Sequence, residues 1–113
     1  MRLLLVDDNP AFLENAEELL APLGEVTCCV HPQEALRHAH ELFDIVVSDF
    51  AMPQMTGVQL VSELRLVQPH LLSFIVTALP HRVRGFDGQV FEKVPVRPWL
   101  EAIQLAARAV VTN

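Results

Sequence analysis

The chain has 113 residues, 51% of them hydrophobic, and a formal net charge of −6. That length holds one core and so one domain, the acidic balance argues against a general nucleic-acid-binding surface, and no apolar run reaches the roughly 18 residues of a membrane span. Asp7 and Asp8 interrupt any signal-peptide-like start, so a cytoplasmic location is expected.

Strand and helix patterns alternate along the chain. The first strand is expected at about Arg2 to Val6. Asn9 then suits a helix N-cap and Pro10 a first helical position. Phe12, Leu13, Ala16, Leu19 and Leu20 recur at helical spacing, and Pro22 and Gly24 end that helix. A second strand follows at about Glu25 to Val30. Pro32 starts a second helix with Ala35, Leu36, Ala39 and Phe43 inward. The third strand is Asp44 to Ser48. The third helix runs from about Val58 to Val67, with Leu60, Val61, Leu64 and Val67 inward. The fourth strand is Leu72 to Thr77, the fifth about Val90 to Val94, and the last helix starts at Pro98. Strands separated by helices imply an α/β fold with a parallel sheet covered on both faces. Cys28 and Cys29 are neighbours in a strand and face opposite ways, so two reduced thiols are expected rather than a disulfide.

Acids gather at the strand ends. LLLVDDNP, from Leu3 to Pro10, ends its strand in Asp7 and Asp8, and VSDFAMPQMTG, from Val47 to Gly57, ends its strand in Asp49. The carboxyl edge of an open parallel sheet is where such folds bind ligands. Two unit charges about 4 Å apart repel by roughly 4 kcal/mol at an effective dielectric of 20, so the cluster calls for a cation or a retained proton. Carboxylate and carbonyl oxygens suit Mg²⁺. A divalent ion beside a free carboxylate fits phosphoryl transfer, with the carboxylate as nucleophile. Thr77, in IVTA, and Lys93, in VFEK, add a hydroxyl and an ammonium near the same edge.

Taken together, these segments resemble the response-regulator receiver domain of two-component signalling, over essentially the whole of residues 1–113. LLLVDDNP resembles its acidic pair, IVVSDFAMPQMTG its phosphorylation segment, IVTA its threonine strand and FEK its lysine. The resemblance implies a flavodoxin-like five-stranded sheet of order 2-1-3-4-5. It implies Asp49 as phosphoacceptor, with Thr77 and Lys93 holding the phosphoryl oxygens. Mg²⁺ would be held by Asp8, Asp49 and the backbone carbonyl of Ala51, with Asp7 acting through water. The donor would be a histidine kinase or a histidine phosphotransfer protein. Such a domain is no enzyme beyond its own phosphorylation and dephosphorylation. The alternative is a pseudo-receiver, a phosphorylation-independent docking module. An acid-nucleophile phosphatase fits less well, because Ala51 stands where its second acid belongs.

Three departures from the family pattern carry expectations. The family's lysine is followed directly by a cis proline, whereas here the order is Lys93, Val94, Pro95. A non-proline cis bond costs roughly 3 kcal/mol, so Lys93–Val94 is expected trans. Either Val94–Pro95 takes over the turn or the loop is rebuilt. Val90 stands where the family often has an aromatic switch residue, and the chain has no tyrosine. Ala78 to Gln89, with Pro80, Gly85 and Gly88, is too short for a full fourth helix and its loops, so that helix is expected stunted or absent. His81, Arg82 and Arg84 in this stretch fit a solvated loop.

On the last helix Glu101, Gln104 and Arg108 form a narrow polar stripe. Trp99, Leu100, Ile103, Leu105, Ala106, Val110 and Val111 spread around the rest, which suggests a homodimer or output-domain contact that includes Trp99. Nothing after Val111 resembles the start of a DNA-binding domain, so no nucleic-acid partner is expected, and without a long apolar run no membrane partner either. His31, His38, His40, His70 and His81 are scattered, and no histidine metal site is expected. Met52 and Met55 are expected to pack beneath the Asp49 loop. Ala51 and Leu79 flank the phosphosite with apolar side chains, at positions that tune water access in the family, so a long-lived phosphoryl group is expected.

Overall fold

Neighbouring residues of the inner strands serve opposite faces of one sheet, and this splits the core in two. The computed structural model describes residues 1–112, with side chains through Val110, so Val111 lies outside the described side chains. Five parallel strands form the sheet: β1 (Arg2–Val6), β2 (Glu25–Cys29), β3 (Ile45–Ser48), β4 (Leu72–Thr77) and β5 (Gln89–Glu92). Their spatial order is β2-β1-β3-β4-β5, the flavodoxin-like order. Four helices flank them: α1 (Pro10–Leu20), α2 (Pro32–Arg37), α3 (Gly57–Val67) and α4 (Val96–Thr112).

Leu3, Leu5, Ile45, Val47, Phe74 and Val76 pack with Leu13, Ala16 and Leu20 of α1 and with Trp99, Ile103 and Ala107 of α4. Leu4, Val6, Cys29 and Val46 pack the other way, with Ala35 of α2 and with Leu60, Val61 and Leu64 of α3. Each Leu or Ile removed fully from water contributes about 1.5–3 kcal/mol. Cys28 accordingly packs toward the α1 face and Cys29 toward the α2 face, and both thiols are free. Burial is the largest cause that pushes each thiol up to about 12, with the nearby acids adding to it.

No α-helix joins β4 to β5. The connection holds a single 3₁₀ turn, Pro80–Arg82, and Gly85 takes a left-handed φ of 68°. Phe86 packs against the α2/α3 core and covers part of the sheet that a helix would otherwise cover. His81, Arg82 and Arg84 are exposed, as a solvated loop requires. Lys93–Val94 is trans and Val94–Pro95 is cis.

Several expectations are corrected. α2 stops at Arg37, and Phe43 is buried beyond its end. A distant side chain accounts for this. Gln68 donates from Nε2 to the carbonyls of Ala39 (2.7 Å) and Glu41 (2.5 Å), and its Oε1 accepts the Phe43 N–H (2.9 Å). Those bonds satisfy the backbone without further helix. Val67, at the last turn of α3, is 45% exposed rather than inward. α4 begins at Val96, because Pro98 falls in the first turn, where the amides have no intrahelical acceptor anyway. β2 ends at Cys29 instead of Val30, and β5 is Gln89–Glu92 instead of Val90 to Val94. Trp99 is 1% exposed, inside the α1/α4 core, so it offers no surface to a second subunit or an output domain.

Candidate functional site

Backbone bonds align the ends of β1 and β3. The Asp7 N–H donates to the Cys29 carbonyl (3.1 Å) and the Asp49 N–H to the Val6 carbonyl (2.9 Å). The pairing in register of Val6 with Ser48 therefore brings both acids to one edge of the sheet. Asn9 turns the chain away, since its Oδ1 accepts the N–H of Ala11 (3.0 Å) and Phe12 (3.3 Å) and caps α1. Thr56 and Gln59 close a capping box at the start of α3. Gly57 there lies so close to β3 that an added Cβ would sit 2.1 Å from the Asp49 carbonyl oxygen. Met52 is buried and Met55 half-buried against the α2/α3 core, beneath the loop that joins them.

Carboxylate oxygens of Asp7, Asp8 and Asp49 all lie within 4.8 Å of one another. Asp7 and Asp49 are buried, while Asp8 is exposed. The Lys93 ammonium lies 2.7 Å from Asp7 Oδ2 and 3.3 Å from Asp49 Oδ2. Lys93 thus reaches the cluster despite the displaced proline. Asp7 Oδ1 accepts the Asn9 N–H (2.9 Å), and Asp49 Oδ1 accepts the Phe50 N–H (2.7 Å). Thr77 is buried at the end of β4, with its Oγ1 accepting the Leu79 N–H (3.2 Å). Ala51 is exposed in the loop after Asp49, and Leu79 is half-buried.

Burial pushes the Asp7 carboxyl above its ordinary range, and the Asp49 charge adds to this, against the pull of Lys93 and the Asn9 amide. Burial alone would lower the Lys93 ammonium, but Asp7 and Asp49 outweigh it and raise the group above the usual lysine value. Asp7 Oδ2 is buried and its partner is the Lys93 ammonium at 2.7 Å. Three clustered carboxylates against the one ammonium leave excess negative charge on all-oxygen donors, which fits a hard divalent cation such as Mg²⁺.

Two further side chains surround Lys93. Its Nζ sits 4.6 Å from the centroid of the Phe12 ring, and Trp99 Nε1–H donates to the Lys93 carbonyl at 3.1 Å. By its spacing Phe12 is a core position, and Trp99 is expected from the sequence at a partner contact. Helical spacing distinguishes a buried face but not the neighbour it meets.

A family model described as the response regulator receiver domain matches residues 3–87. The chain belongs to that family. The receiver is 43% identical over 79 residues to a response regulator receiver protein of Anaeromyxobacter sp. (strain Fw109-5), an alignment covering 68% of this chain and 33% of that one. It is 31% identical over 116 residues to the transcriptional regulatory protein TctD of Salmonella typhimurium, covering 98% of this chain and 52% of that one. The receiver therefore spans a third to about half the length of these two relatives. Among solved structures it resembles the response regulator TrrA of Thermotoga maritima in complex with Mg²⁺ and BeF. The TM-score is 0.81 at 25% identity, over 93% of this chain and 97% of that one. Among the described residues no helix is long and apolar enough to cross a membrane.

Proposed function

We propose that residues 1–113 form one receiver domain that accepts a phosphoryl group on Asp49. The donor is a phosphohistidine on a histidine kinase or a histidine phosphotransfer protein. The observation that carries this reading is the Lys93 ammonium, 3.3 Å from Asp49 Oδ2 and 2.7 Å from Asp7 Oδ2, above a cluster of three carboxylates. Capping of helices accounts for acids at strand ends but for no half-buried lysine paired with two of them.

In the proposed step a carboxylate oxygen of Asp49 attacks phosphorus. The new O–P bond forms as the P–N bond breaks, and the electron pair returns to the imidazole nitrogen. Lys93 and the Thr77 hydroxyl hold the phosphoryl oxygens. Asp8, Asp49 and the Ala51 carbonyl would hold Mg²⁺, with Asp7 acting through water. When bound, that ion neutralises charge on the phosphoryl oxygens. The receiver acts on itself alone, in the cytoplasm, and passes the signal to an output partner.

The missing helix between β4 and β5 favours a second reading, a docking module indifferent to phosphorylation. One experiment separates the two. The protein and an Asp49→Asn control are incubated with a small phosphodonor, with and without Mg²⁺, and intact mass is recorded. A Mg²⁺-dependent phosphoryl adduct absent from the control supports the switch. No adduct, with Mg²⁺ binding confirmed and a kinase also tried, supports the docking module.

A further inference from the structure

Lys93 has only its long, flexible stem to bring the ammonium to the acidic cluster. The residue after it, Val94, is 76% exposed and gives it no support. Yet the Lys93 side chain is only 17% exposed. Its surroundings explain the difference. The ammonium lies between the carboxylates of Asp7 and Asp49 on one side and the Phe12 ring on the other, 4.6 Å from the ring centroid. An ammonium at that distance from an aromatic face is drawn to the ring electrons, more strongly when water is excluded. Phe12 is itself steadied by Trp99, their ring centroids 5.9 Å apart and tilted by 54°.

The backbone of Lys93 is held as well. Its N–H donates to the Thr77 carbonyl at 3.2 Å, and its carbonyl accepts Trp99 Nε1–H at 3.1 Å. Trp99 is buried in α4 and Phe12 is on α1, so two helices hold the one lysine. Without such support the stem would sample many rotamers, and ordering it at the moment of reaction would slow transfer.

We propose that Phe12 and Trp99 are positioning residues for Lys93: the ring holds the ammonium over the acidic cluster, and the indole N–H fixes the carbonyl. The functional half of this rests on the reading of Asp49 as phosphoacceptor. The placement of Lys93 does not.

Lys93 is the only lysine in the chain, so ¹³C-labelled lysine yields a single set of side-chain NMR signals. The Lys93 ε-protons are expected upfield of free lysine, within the ring current of Phe12. Phe12→Leu removes that shift and slows phosphorylation by a small phosphodonor roughly 3- to 10-fold. Phe12→Tyr restores both the shift and the rate, which filling of space alone does not predict. Trp99→Phe keeps a ring but loses the N–H, and it slows phosphorylation by roughly 3-fold. Should Phe12→Leu fail to fold, the wild-type shift and its retention in Phe12→Tyr still decide the matter. Lys93 signals at the free-lysine position in the wild type overturn the proposal, as do an unchanged shift and rate in Phe12→Leu. A wild type that binds Mg²⁺ yet takes no phosphoryl group from a small phosphodonor or a kinase, while showing a shift lost in Phe12→Leu, upholds the placement of Lys93 and overturns the phosphoacceptor reading.

Discussion

Gly57→Ala tests how tightly α3 is seated against β3 and the Asp49 backbone that follows it. The added methyl carbon would lie 2.1 Å from the Asp49 carbonyl oxygen and 2.9 Å from Ile75 Cδ1. The Ile75 methyl can rotate away, but the carbonyl cannot yield freely. It accepts a hydrogen bond from Ser48 Oγ at 2.8 Å, and the Asp49 N–H is tied to the Val6 carbonyl at 2.9 Å. Ordinary C···O contacts lie near 3.3 Å, so α3 or β3 must shift by roughly 1 Å. Overpacking of this kind costs about 3 kcal/mol at the upper end, and the better helix propensity of Ala returns at most about 1 kcal/mol. The net loss is about 2 kcal/mol, which lowers Tm by roughly 8 °C for a domain of this size. Thermal unfolding followed by circular dichroism, without divalent ions, measures it. Phosphorylation also slows, because the clash falls on the backbone of Asp49 itself. An unchanged Tm with normal phosphorylation would refute the reasoning, since β3 and α3 would then part without cost.

Asp7→Asn addresses the charge repulsion within the acidic cluster. Burial raises the folded-state pKa of Asp7 above its unfolded value. Asp7 therefore favours folding only below its unfolded pKa, and that contribution is lost as pH rises through the folded value. Without divalent ions Asp7→Asn raises Tm at pH 7, and the gain shrinks toward pH 4. A lower Tm at pH 7 would contradict this. Gln54 holds a left-handed φ of 74° in the loop after Asp49, and Gln54→Gly is expected to stabilise by about 1 kcal/mol, read as a higher urea midpoint. Neither Ala51 nor Leu79 has a side-chain group to orient water at the site, so phosphorylated protein should lose its group slowly and Ala51→Asn should speed the loss. Rapid loss that Ala51→Asn leaves unchanged would count against that account.

Much of this architecture is legible in the sequence because each strand ends in punctuation of its own. Asn9 and Pro10 close β1, Pro22 and Gly24 follow α1, and Ala78 to Gln89 is too short and too rich in Pro and Gly for a helix. The three acids, Thr77 and Lys93 are legible for a related reason, since parallel strands deliver their carboxyl ends to one edge. What stays hidden depends on neighbours distant in the chain. Ala35, Leu36, Ala39 and Phe43 keep helical spacing, but Gln68 captures the carbonyls of Ala39 and Glu41 and ends α2 early. The apolar surplus of α4 looks like a partner surface until Trp99 is seen in the core beside Phe12, leaving Leu105, among the described residues, as its large exposed apolar side chain. No periodicity indicates that the Phe12 ring meets the ammonium of the single lysine and the Trp99 indole N–H its carbonyl.

The central claim is that Asp49 bears the phosphoryl group. Treating phosphorylated protein with borohydride reduces an aspartyl phosphate to homoserine, and tandem mass spectrometry then locates that residue. The account predicts homoserine at position 49, formed only when the protein was phosphorylated with Mg²⁺ present. Homoserine at position 7 or 8 instead, or none from protein that carries a phosphoryl group, would contradict it.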